Sequence, residues 1–90
     1  MLNIVVSNRF KKDLKQAMKR QLDMATLNGV VDKLANGEAL PAKHRDHELS
    51  GDYSGFRECH IAPDWLLIYR VEAEDLILYL FRTGTHSDLF

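Results

Sequence analysis

The stretch Arg57 to Arg70, RECHIAPDWLLIYR, constrains everything around it. Arg57 to Ala62 alternates charged or polar side chains with smaller ones, Pro63-Asp64 interrupts it, and Trp65 to Tyr69 is an unbroken apolar run. That pattern predicts a β-hairpin turning at Pro63-Asp64. Proline already has the φ that the first central turn position requires, and the Asp64 carboxylate can fold back onto nearby backbone N–H groups. His60 and Asp64 then sit close together at one end of a rigid β element, and any chemistry is to be sought there.

The rest of the chain reads as elements that pack on this hairpin. Leu2 to Val6 is β-branched and predicts a short strand. Ser7 can cap a helix from about Asn8 to Gln21, in which Phe10, Leu14, Ala17, Met18 and Leu22 recur at helical spacing. Asp23 can cap a second helix carrying Met24, Leu27, Val30, Val31 and Leu34, with Asn36-Gly37 as its stop. The short loop between them implies an antiparallel helical hairpin laid on one face of a sheet. Glu38 to Gly51 loses periodicity and reads as a long loop, followed by a short strand near Asp52-Tyr53. Phe56–Ala62, Trp65–Val71 and Leu76–Thr83 should form an antiparallel meander, the last two strands central because Leu66-Leu67-Ile68 and Leu76-Ile77-Leu78 are apolar on both faces. The tail GTHSDLF predicts a turn or a single helical turn. The expected fold is α+β, with a mainly antiparallel sheet of four to five strands whose second face stays partly open.

Ninety residues make one domain, residues 1–90, with a modest core. A single cysteine, Cys59, forms no internal disulfide, and no run approaches the ~20 apolar residues that span a bilayer. A cytoplasmic protein is the simpler expectation. The net charge of −1 argues against a general polyanion binder, yet Arg9, Lys11, Lys12, Lys15, Lys19 and Arg20 face only Asp13 in the first helix. Lys43, His44 and Arg45 form a second small basic patch.

Four histidines, His44, His47, His60 and His86, lie in a chain that also offers Glu58, Asp64 and Arg82. Histidine titrates near working pH, so a pair can divide the acid and base roles, and arginine can hold a phosphate through two hydrogen bonds. Such a set suffices to cleave RNA without metal: a base takes the ribose 2′-hydroxyl proton, the oxygen attacks phosphorus, and an acid protonates the departing 5′-oxygen. Taken singly, each residue has a structural explanation; Arg82, for example, can pair with Asp75 or Glu74. His47, His60, Asp64 and His86 are also acceptable zinc ligands, but their spacing matches no compact zinc pattern and no second cysteine joins them. The expectation is no metal and no cofactor.

The run DHELSGDYSGFRECHIAPDWLLIYR, followed by FRTGTHSDLF, resembles the YafQ branch of the RelE/ParE superfamily of toxins from bacterial type II toxin–antitoxin systems. The resemblance covers the whole chain and implies a RelE-like fold. It also implies ribosome-dependent, metal-free cleavage of mRNA in the A site of the 70S ribosome, and a cognate antitoxin on a separate chain. The toxin alone would be a monomer and its antitoxin complex a hetero-oligomer. By motif position it implies a catalytic set of His47, His60, Asp64, Arg82 and His86. His86 would be the principal proton-transfer residue, Asp64 and His60 would orient it or supply the complementary transfer, and Arg82 would hold the scissile phosphate. Phe90 would stack on or position a base, and Glu58 stands two places before His60. Lys43 and Arg45 would contact substrate, while Lys11, Lys12, Lys15 and Lys19 would face ribosomal RNA. Two other readings stand beside this one: a ParE-like gyrase-inhibiting binding protein, in which the histidines are incidental, and a zinc-dependent phosphoesterase.

Overall fold

The computed structural model describes residues 1–90. Strand β1, Asn3–Val6, leads through Ser7 into helix α1, Asn8–Lys19. Ser7 is extended; its hydroxyl accepts from the N–H of Phe10 at 2.9 Å and donates to the carbonyl of Phe81 at 2.6 Å. One side chain thus caps the helix and ties its start to the sheet. Helix α1 ends two residues before the expected Gln21, because Gln21 takes the left-handed conformation (φ 59°) that reverses the chain. Helix α2, Met24–Ala35, is capped by Asp23, which accepts from the N–H of Ala25 at 3.0 Å. Gly37, at φ 74°, lies just beyond its end.

The long loop contains a single 3₁₀ turn, Ala42–His44, and strand β2 is the dipeptide His47–Glu48. The strand expected near Asp52-Tyr53 is instead a 3₁₀ turn, Gly51–Tyr53. The ladder with β3 is made by His47 against Glu58 and Glu48 against Arg57, so pairing occurs five residues before the expected Asp52-Tyr53. Strands β3, Arg57–Ala62, and β4, Trp65–Glu72, form the expected hairpin, with Ala62 opposite Trp65 across Pro63-Asp64. Strand β5, Ile77–Gly84, precedes a one-turn helix α3, His86–Leu89. Leu76, read as a central strand residue, is in a left-handed turn (φ 55°) and 56% exposed.

The strand order is β1-β5-β4-β3-β2. β1 runs parallel to β5 and the other pairings are antiparallel, so this is an α+β fold with a five-stranded mixed sheet. Alternation along β3 and β4 divides the side chains between two faces. Cys59, Ile61, Trp65, Leu67 and Tyr69 join Phe10, Ala17, Leu27, Val30, Val31 and Leu34 of the helices in the main core. Met18, expected in the α1 stripe, is exposed. Leu66 and Ile68 point the other way, where Leu89 of α3 closes a small second core with Tyr53, Phe56 and Phe81 around it. Glu58 and His60, paired opposite Ile68 and Leu66, share this second face.

Candidate active site

His60 comes from the end of β3, next to an irregularity between His60 and Ala62 that reshapes the strand just before the turn. His86 opens α3, and the two imidazole rings meet edge to face with centroids 5.7 Å apart. Each ring has its own carboxylate. The Oδ1 atom of Asp64 accepts from Nδ1 of His86 at 2.9 Å and from the His86 backbone N–H at 3.1 Å. With its proton on Nδ1, neutral His86 leaves Nε2 as the free acceptor. These two bonds, the side-chain one first, hold the Asp64 carboxyl below the usual carboxylate range. His60 Nε2 lies 3.6 Å from Oε1 of Glu58, a carboxylate only 5% exposed.

His47 joins from the opposite side of Glu58, with Nε2 at 3.7 Å from the same oxygen. Its Nδ1 donates to the carbonyl of Arg45 at 2.6 Å, so the nitrogen facing Glu58 carries a proton only in the imidazolium form. Glu58 is therefore shared by two histidines. Oxygen and nitrogen atoms of Glu58, His60 and His86 lie within 4.8 Å of one another, a set that could hold a divalent cation.

Phe90 is 61% exposed, with its ring 6.5 Å from His86 and 5.3 Å, edge to face, from Tyr53. Lys43 and Arg45 line a cavity of about 540 Å³ that also includes His60 and Pro63. Arg82 is engaged elsewhere. Its guanidinium, 12% exposed, grips Asp13 of α1 through Nε at 2.7 Å and Nη2 at 3.2 Å, not Asp75 or Glu74. Lys11, Lys12, Lys15 and Lys19 are exposed, whereas Arg20, which caps the end of this helix, donates two bonds to Asp88 at 2.6 and 3.2 Å.

Three supports escaped the sequence reading. Asp88 forms a capping box with Thr85, accepting from the Thr85 N–H while its own N–H bonds the Thr85 hydroxyl, and this sets the one turn that presents His86. The signal was there, since Thr85-x-x-Asp88 has capping-box spacing. Tyr53 donates to the carbonyl of Leu89 at 2.9 Å, tying α3 down from above. Buried His44, absent from the catalytic set that the resemblance implies, donates Nδ1–H to the carbonyl of His60 at 2.6 Å and braces the backbone under that residue.

Together the fold and the site define a class: a small α+β protein whose sheet carries a cluster of histidines and carboxylates on the face its helices leave open. Residues 2–90 match the family described as "Bacterial toxin of type II toxin-antitoxin system, YafQ". The chain is 43% identical to the mRNA interferase toxin YafQ of Escherichia coli K12 over 89 residues, covering 98% of this chain and 95% of that protein. Among solved structures, a metal-bound toxin from Helicobacter pylori superposes with a TM-score of 0.94 at 44% identity, covering 100% of both chains. A chain of the Escherichia coli DinJ-YafQ complex does so at 0.89 and 42%, covering 100% of this chain and 99% of that one. The chain belongs to the YafQ family of type II toxin–antitoxin toxins.

Proposed function

We propose that this protein is a ribosome-dependent endoribonuclease that cleaves mRNA in the A site, inhibits translation, and needs no metal for the chemistry. The observation that carries this reading is the His60–His86 pair, two rings 5.7 Å apart, each backed by a separate carboxylate. Nε2 of His86, with Asp64 fixing the tautomer, takes the 2′-hydroxyl proton. The 2′-oxygen attacks the adjacent phosphorus, closing a 2′,3′-cyclic phosphate and breaking the bond to the 5′-oxygen. His60, whose ring lies beside Glu58, gives that oxygen its proton. His47 shares Glu58 and flanks that carboxylate on the side away from His60. Asp13 occupies Nε and Nη2 of Arg82 and leaves Nη1 for a phosphate oxygen, so the phosphate would be gripped by a guanidinium already fixed in place. Phe90 stacks on a base beside the cleaved bond.

Lys43 and Arg45 hold the neighbouring phosphate, and the four exposed lysines of α1 face ribosomal RNA. The E. coli relative bears the name mRNA interferase toxin, and another relative was solved in complex with DinJ. Those names support cleavage of mRNA by this chain and control by a cognate antitoxin, in a cytoplasmic hetero-oligomer. Primer extension on mRNA from translating ribosomes tests the reading, comparing wild type with His86→Ala, each with and without a chelator selective for transition metals at fixed magnesium. Discrete in-frame cuts that survive the chelator and vanish in the variant are expected. Cuts abolished by the chelator would turn the Glu58, His60 and His86 cluster into a metal centre and overturn the metal-free mechanism. Growth arrest without cuts would favour a binding target such as gyrase.

A further inference from the structure

The open face of the sheet continues beyond the histidines as a row of aromatic rings. From His86 the contacts run to Phe90, on to Tyr53 at 5.3 Å, and from Tyr53 to Phe81 at 6.2 Å. There the geometry changes from edge-to-face to near-parallel. Phe81 stacks on Phe56 at 4.5 Å and 17°, and lies 6.1 Å and 29° from Tyr79. The guanidinium carbon of Arg70 lies 4.9 Å from the centroid of Phe56 and 5.4 Å from that of Tyr79. Arg70 Nε is buried and has no hydrogen-bond partner, an unusual state for a guanidinium N–H. Beside Phe56 and Arg70 opens a cavity of about 350 Å³, into which Arg57 and Leu49 also face.

We propose that this end of the sheet is a second nucleobase subsite, which takes an unpaired base of single-stranded RNA some nucleotides away from the bond being cut. The inference rests on the nuclease reading above. Four residues of extended strand separate Phe56 from His60, about 13 Å at the rise of a β-strand. A short run of nucleotides therefore reaches from one to the other along the aromatic row. The base enters the cavity and stacks against the Arg70 guanidinium, which the rings already hold flat. Charge does not do the holding. Arg70 pairs with Glu72 at 2.9 Å, and Arg57 pairs with Asp46 at 3.3 Å and Glu48 at 3.6 Å, so no guanidinium here is left unneutralised for a phosphate. The subsite's share of the affinity is then insensitive to salt, unlike that of the lysine-borne contacts.

The test uses 2′-O-methyl oligoadenylates of three and six residues, which lack the attacking hydroxyl, titrated into the isotopically labelled full chain by NMR at 50 and 200 mM salt. The wild type is expected to bind the hexamer roughly tenfold more tightly than the trimer, by the usual strength of base–aromatic stacking. That ratio should hold at both salt concentrations. Tyr79→Ala and, as a milder change, Arg70→Gln should each bring the hexamer down to the trimer's affinity while leaving the trimer unchanged. Equal affinities in the wild type, or a length gain that survives both substitutions, would overturn the subsite. So would substitutions that spare the oligonucleotides but weaken capture of a protein partner, since the face would then belong to that partner. If neither oligonucleotide moves the ring signals of His60, His86 or Tyr79, the subsite falls, while the ribosome-dependent nuclease reading is decided by primer extension alone. If both move them and length adds nothing, only the subsite falls.

Discussion

A single oxygen of Asp64 accepts from both the backbone and the side chain of His86, so one carboxylate positions the ring and sets its tautomer. Asp64→Asn should therefore lower the cleavage rate with little effect on substrate affinity. His86→Ala should lose about 10²- to 10⁴-fold in rate, the usual contribution of one general acid or base. Single-turnover cleavage on programmed ribosomes separates the two effects. The carboxyls of Asp64 and Asp88 both titrate below their ordinary value of 3.8, the first through His86 and the second chiefly through Arg20. A depressed folded-state pKa stabilises the fold at pH values above the ordinary one, and that contribution fades as pH falls through the folded value. The amide signals of His86 and Leu89 should thus hold at pH 5 and lose protection only below about pH 4; loss near pH 6 would contradict this. Cys59 is a contrasting case. Burial pushes its thiol up to about 12, with Asp46 and Glu58 adding to the effect, so it should resist alkylation at pH 8 until the protein is unfolded.

At the scale of elements, the one-turn helix α3 matters most, because four residues cannot hold a helical turn by themselves. The capping box, the Tyr53 hydroxyl on Leu89 and the Arg20–Asp88 pair hold it from three directions. Gly84 packs directly beneath it: a Cβ there would lie 2.9 Å from both Cβ and Oδ2 of Asp88. Gly84→Ala should cost about 1–3 kcal/mol by overpacking. It should lower cleavage further than urea denaturation alone would suggest, because the displaced turn carries His86. A variant with normal activity would show that α3 tolerates displacement. The hairpin was legible in the sequence because Pro63-Asp64 punctuates an apolar run, and both helices were legible through their caps and spacing. Strand β2 was not. A dipeptide strand has no periodicity, and its place is set by the neighbouring strand's register. The ion-pair partner of Arg82 was not legible for a related reason: Asp13 is 69 positions away, and only the fold brings the two together.

For the whole molecule, the sheet carries two cores of unequal size. The larger is sealed by α1 and α2, and the smaller by little more than Leu89 and a few aromatic rings. Fully buried Leu67 lies in the larger, and Leu67→Ala should cost about 2–5 kcal/mol in urea unfolding. A cost below about 1 kcal/mol would show that this core is loosely packed. The histidine-bearing face is open because the chain has no third layer to cover it. The candidate site was legible as a set of residue types and motifs. Its pairing, one carboxylate to His86 and another shared by His47 and His60, depends on strand register and a C-terminal turn that no spacing rule supplies. The central claim is that His60 and His86 divide the acid and base roles, and the pH dependence of single-turnover cleavage tests it most directly. The wild type should give a bell, and substituting either histidine with alanine should remove one limb and leave the other. A bell of unchanged shape in both variants would contradict the claim.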